Sequence, residues 1–138
     1  MYEEHTAALY AQRYDDSLFP TYGNWENFSR KMLGIFTVCC FPGCGRQANN
    51  LHHAAYQTSL GVPIGENGIM GIHYFVLCRK HHNEDRNDPT CAHHPDNWDQ
   101  GMLPPPRLDA IQRPKYYIML RNEFKQLYSE TKLRISRV

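Results

Sequence analysis

The sequence predicts an α+β fold: a strand–loop–strand–helix unit held together by cysteine and histidine side chains, with a helical segment on either side. Three observations predict it. Apolar residues recur at helical spacing near both ends of the chain, three short β-prone runs lie between them, and each run adjoins or contains Cys or His. At 138 residues the chain suits one domain. Residues 1–34 form its N-terminal helical segment, 35–90 its core, and 91–138 a loop followed by a basic C-terminal helix.

Glu3 to Tyr14 suit a helix with Ala7, Tyr10 and Tyr14 on one face, and Asp15 to Gly23 is turn material. Asn24 can cap a second helix, whose apolar positions Trp25, Phe28, Met32 and Leu33 follow the 3.6-residue period and which Gly34 can end. Both helices are expected to cover the core. Ile35 to Val38 suits a short strand leading into Cys39, and Asn50 to Ala54 suits another. A long loop with Gly61, Pro63, Gly65, Gly68 and Gly71 follows, of a length that is usually functional or metal-tied.

Tyr74 to Leu77 predict the next strand. From Cys78 a helix is expected, ending before Asp88-Pro89 because the residue before proline disfavours helical backbone. Cys91 with His93 or His94 could form another metal site, but without a second ligand pair the stretch better suits an ordinary loop. Pro104-Pro105-Pro106 is stiff and extended. Pro114 opens a last helix that should pack through Tyr117, Leu120, Phe124 and Leu127.

Net charge is only +1, so the protein is no polycation, and affinity for nucleic acid must come from charge placement. That placement is skewed. Residues 107–138 hold eight basic side chains against three acidic, whereas residues 1–35 hold three against five. No apolar run approaches the roughly 20 residues of a membrane span, and Met1-Tyr2-Glu3-Glu4 is no basic leader opening. A cytoplasmic protein without membrane contact is expected. In such a reducing compartment the five cysteines suit metal ligation better than disulfides.

The cysteine spacing points to zinc. Cys39-Cys40-Phe41-Pro42-Gly43-Cys44 is one tight knuckle, and Cys78-Arg79-Lys80-His81 is the distant second pair of a tetrahedral site. Cys44, Cys78 and His81 are ligand candidates, with Cys39 or Cys40 as the fourth. Such an ion supplies folding energy to a unit too small to hold together by apolar burial alone. His52, His53 and His82 are then surplus, and that surplus is the functional clue.

The pattern Cys39-x-x-Pro42-Gly43-Cys44-Gly45-Arg46, Ala48, Leu51-His52-His53, then Leu77-Cys78-x-x-His81-His82, resembles the HNH endonucleases with a zinc-bound ββα-metal fold. Tyr56, Leu60-Gly61 and Glu66 resemble the loop of bacterial and phage members. The resemblance covers about a third of the chain and implies Cys39, not Cys40, as the partner of Cys44. It implies His53 as general base, His52 and His82 as ligands of a catalytic Mg²⁺ or Mn²⁺, and His73 at the middle Asn position that holds the loop and orients the base. Two departures stand out. His73 replaces that Asn, and Arg86 occupies the position, one helical turn after His82, where many members have another metal-binding His. A catalytic ion with only two protein ligands is then expected.

The activity so implied is hydrolysis or nicking of DNA; RNA in place of DNA stays open, as does a homodimer or a subunit of a larger complex. A neutral imidazole suits proton removal from the attacking water, and a divalent cation stabilises the leaving 3′-oxygen. Arg79, Lys80 and Arg86 are the candidates for neutralising backbone phosphates. The alternative is a non-catalytic, zinc-finger-like module that binds nucleic acid or protein. A third reading, a zinc hydrolase of small molecules, is disfavoured because the cluster is expected on an open unit rather than in a deep apolar pocket.

Overall fold

The structure, a computed structural model, describes residues 14–54, 62–94, 97 and 115–137, with side chains of the last helix described through Ser129. The expected helix over Glu3–Tyr14, the loop positions Tyr56, Leu60 and Gly61, the proline run and Pro114 lie outside the described residues, Tyr14 excepted. In chain order come a short 3₁₀ turn at Asp16–Leu18, helix α1 (Trp25–Ile35), strand β1 (Asn50–His53), strand β2 (Tyr74–Leu77), a wide helical turn at Lys80–Glu84, and helix α2 (Lys115–Arg137). This is a small α+β arrangement around a two-stranded sheet.

Helix α1 starts where its capping residue dictates: the Asn24 side chain accepts from the Asn27 amide at 2.8 Å, satisfying one of the orphan donors of the first turn. It runs through Gly34 to Ile35 and is closed by the Phe36 amide donating to the Met32 carbonyl. The expected strand over Ile35–Val38 therefore does not form. Ile35 is still helical, and only Val38 bridges, to Gln47.

Strands β1 and β2 pair antiparallel, with Asn50 opposite Leu77, Leu51 opposite Val76, His52 opposite Phe75 and His53 opposite Tyr74. Side chains alternate between the faces of a strand, so this register sends Leu51, His53, Tyr74 and Val76 to one side and His52 and Phe75 to the other. Both faces are covered. Trp25 and Phe28 of α1 pack on Tyr74, with ring centroids 5.9 and 5.3 Å away, and Tyr117 of α2 stacks on Phe75 at 5.8 Å. A hairpin this short is marginal by itself; its residues are buried because a helix lies against each face.

The inward stripe of α2 is Tyr117, Leu120, Phe124 and Tyr128 rather than the expected series ending at Leu127, which is exposed. Spacings of three and four keep these residues on one face, and Phe124 and Tyr128 meet Phe36 at centroid distances of 5.2 and 5.0 Å. The Tyr128 hydroxyl donates to the Val38 carbonyl and accepts from the Val38 amide at 2.8 Å. One phenol thus anchors the backbone immediately before the cysteine knuckle. Tyr128→Phe strands both groups and is expected to cost about 1–3 kcal/mol, measured as a lower midpoint in urea unfolding of the zinc-loaded protein.

The loop before β2 needs Gly71. Its φ is +85°, and a Cβ there would lie 2.4 Å from the Phe124 ring. Among the described residues, no helix is long and apolar enough to cross a membrane.

Candidate metal centres

Two groups of side chains able to ligate a metal assemble around this hairpin, and they meet at the adjacent residues His81 and His82. The first is Cys39, Cys44, Cys78 and His81, whose ligand atoms lie within 4.8 Å of one another. The knuckle is shaped by backbone. Cys39 N–H donates to the Arg46 carbonyl at 2.9 Å and Cys44 N–H to the Phe41 carbonyl at 3.0 Å, while Gly43 and Gly45 take φ values of +75° and +70° on either side of Cys44. Only glycine adopts such angles without penalty, so the turn that aims the Cys44 sulfur is encoded by its two neighbours.

The spacing of these atoms matches a four-coordinate zinc. Two sulfurs each about 2.3 Å from a tetrahedral zinc stand about 3.8 Å apart, and a sulfur–nitrogen pair about 3.5 Å apart. The Cys44 and Cys78 sulfurs are 3.8 Å apart, and His81 Nδ1 is 3.3 Å from Cys78 Sγ and 3.7 Å from Cys39 Sγ. The same separation rules out a disulfide, whose sulfurs sit about 2.05 Å apart. His81 is oriented by the Phe41 ring, stacked on it at 4.1 Å.

Without the ion the thiols are not alike. Burial pushes Cys39 up to about 12, whereas Cys78 is lowered, because the amides of His81 and Lys80 and the Cys39 and Cys44 side chains outweigh its own desolvation. Cys40, the other candidate of the knuckle, is a core residue. Its side chain is fully buried, and its amide donates to the Val76 carbonyl at 3.0 Å.

The second group is His52, His82 and His93. Their rings pack edge to face with centroids 4.8–5.2 Å apart, and the Nε2 atoms of His82 and His93 are 3.2 Å apart. His52 is held by Tyr117 of α2, whose hydroxyl is 2.8 Å from its Nε2 and whose ring stacks on the imidazole. Burial lowers all three, His82 and His93 to about 4, so they are neutral imidazoles at physiological pH, the form able to ligate an ion. No carboxylate belongs to the group among the described residues.

His93, which the sequence offers only for a separate site with Cys91, is brought here by the backbone. The helical turn that carries His81 and His82 is short: Asn83 leaves helical geometry at φ −155° and Asp85 is extended. Arg86 is therefore not one helical turn above His82. Instead Asp88 caps a tight reversal through the Thr90 amide and hydroxyl at 2.9 and 2.7 Å. The returning segment then docks on the turn it left: Ala92 and His93 amides donate to the His81 and His82 carbonyls at 2.7 and 3.2 Å, and the Cys91 thiol to His82 at 2.9 Å.

The structure brings His52 and His82 together but not His53. On the opposite face of the hairpin, His53 stacks on Trp25 at a centroid distance of 4.5 Å, with Tyr74 at 5.0 Å and Tyr14 at 5.8 Å, and it is 5% exposed. At His73, Nδ1 accepts from the Ile69 amide at 2.9 Å and the carbonyl accepts from the amide of Ala54, the residue after His53, at 2.8 Å. Glu66 ties the loop to the N-terminal turn by accepting from the Thr21 amide. Arg79, Lys80 and Arg86 are all exposed; Arg79 stands 3.9 Å from Glu84, and the charge of Arg86 adds to the burial that lowers His82 and His93. Comparison with protein-family models, with curated proteins and with solved structures finds no match.

Proposed function

We propose that this chain is a metal-dependent endonuclease of the HNH type that hydrolyses DNA phosphodiester bonds. One observation supports it above the others: His52 and His82, the residues that the motif resemblance marks as ligands of the catalytic ion, converge beside a Cys₃His group built on the same hairpin. In this reading the Cys₃His group holds a structural zinc and the core is a ββα-metal unit. A divalent ion at the imidazole group, when bound, supplies positive charge for the leaving 3′-oxygen and the non-bridging oxygen.

The chain's own residues do the rest. His52 is held by Tyr117, which would fix its ring toward an ion at this group. Arg86 draws a backbone phosphate toward the partly buried His82 and His93, with Arg79 and Lys80 on the same exposed turn. The motif resemblance assigns the general base to His53, but its ring stacks on Trp25 on the other face of the hairpin, so that role requires the hairpin end to rearrange and not a turn of the side chain alone. That stacking favours a second reading, a non-catalytic nucleic-acid-binding module in which His53 is a core residue.

Nicking of supercoiled plasmid with Mg²⁺, Mn²⁺ or Zn²⁺ separates the two. The nuclease reading expects nicking by the wild type and a fall of about 10²–10⁴-fold for His53→Ala, the usual worth of a positioned base. Equal rates for the two proteins remove the base assignment. Retained DNA binding without nicking under any of the three ions selects the second reading.

A further inference from the structure

We propose that His93 is the third ligand of the ion held by His52 and His82, and that this centre selects zinc or a similar nitrogen-seeking transition ion over magnesium. The inference rests on the reading that residues 52 and 82 bind an ion, and it does not depend on nuclease activity.

Three observations carry it. The donors are three imidazoles with nitrogen atoms inside a 4.8 Å sphere, and no carboxylate joins them among the described residues. Magnesium takes oxygen ligands and keeps its waters, whereas imidazole suits zinc, copper, nickel and iron. The expected Mg²⁺ or Mn²⁺ therefore fits this donor set poorly, and zinc fits it well: three histidines leaving a fourth position is a familiar zinc arrangement.

The spacing agrees. Two nitrogens each about 2.0–2.1 Å from a tetrahedral zinc stand about 3.3–3.4 Å apart. His82 Nε2 and His93 Nε2 are 3.2 Å apart.

Finally, the arrangement is held by backbone rather than by the rings themselves. The Asp88–Thr90 reversal and the amide bonds from Ala92 and His93 to the His81 and His82 carbonyls deliver His93 to this position. His81 and His82 are adjacent, so the segment that closes the second centre is docked on a ligand of the first. Arg86, which replaces the helical ligand expected from the motif, is relieved of that role, because a residue seven positions further along the chain fills it.

Full-length protein carrying its structural zinc, titrated with Co²⁺ and with Mg²⁺ by calorimetry and visible absorption, tests this. The expected result is one Co²⁺ per chain beyond the zinc, with the ligand-field bands of a nitrogen-ligated tetrahedral or five-coordinate ion, undiminished by a thousandfold excess of Mg²⁺. His93→Ala should weaken Co²⁺ at least about 100-fold, beyond the 10–100-fold typical of losing an outer hydrogen-bond partner of a ligand. His93→Phe, which keeps a ring of similar size but has no nitrogen, should do the same with the fold retained by circular dichroism. His94→Ala should bind as the wild type does.

Absence of a second Co²⁺, effective competition by Mg²⁺, or wild-type affinity in His93→Phe would overturn the inference. A His93-dependent Co²⁺ site in a protein that never nicks DNA would uphold it and end the nuclease reading. Nicking without such a site would do the reverse.

Discussion

Cys78→Ala is expected to abolish the cooperative fold. Structural zinc contributes about 10–16 kcal/mol in zinc-finger peptides at neutral pH, and whole domains are stable by only about 5–15 kcal/mol. This chain concentrates that dependence. Its sheet has two strands of four residues, and the Cys₃His group joins the knuckle before β1 to the turn after β2. Losing one of four ligands removes the link between the two halves, and apolar burial against α1 and α2 is too small to replace it. Circular dichroism with zinc analysis checks this: no thermal transition and less than one zinc per chain are expected, and chelation of the wild type should give the same spectrum. A cooperative melt in Cys78→Ala would show that the four residues are an ordinary buried cluster. His81→Ala should behave like Cys78→Ala, because His81 Nδ1 lies 3.3 Å from the Cys78 sulfur.

The neighbouring residue should behave in the opposite way. His82→Ala is expected to keep the fold and its structural zinc, because the contacts that dock the returning segment use the His82 carbonyl rather than its ring. What it loses is an ion ligand. A catalytic cation contributes several kcal/mol of transition-state charge stabilisation, and each 1.4 kcal/mol or so is a factor of ten, so plasmid nicking should fall by about two to three orders of magnitude. The paired result, fold lost at residue 81 and activity lost at residue 82, distinguishes two centres from one. Unchanged nicking in a folded His82→Ala protein would remove the imidazole group from the mechanism.

Much of this was legible in the residues because local rules and tertiary packing agree there. Asn24 caps α1, Tyr74–Leu77 form a strand, and a six-residue knuckle and a Cys-x-x-His meet at one point. The failures share a cause. Whether Ile35 continues a helix or starts a strand depends on Phe36 packing against Phe124 and Tyr128, roughly ninety residues away. Leu127 and Tyr128 both fit a helical stripe, and the inner one is decided by the hydrogen bonds of the Tyr128 hydroxyl to Val38.

His93 was missed for a sharper reason. Spacing rules assume that the helix bearing His82 continues, and Asn83 ends it. Asp88-Pro89 marks where a helix must stop, but neither the Asp88–Thr90 turn nor the direction in which it returns the chain can be read from it. The opposite facing of His52 and His53 is, by contrast, a consequence of strand alternation that follows as soon as β1 includes both.

The central claim is that Cys39, Cys44, Cys78 and His81 hold one zinc and thereby fix the hairpin that carries the imidazole group. X-ray absorption at the zinc edge, on protein with one zinc per chain, tests it most directly. The account predicts a shell of three sulfurs at about 2.3 Å and one nitrogen at about 2.0 Å. A shell of nitrogen and oxygen alone would contradict it.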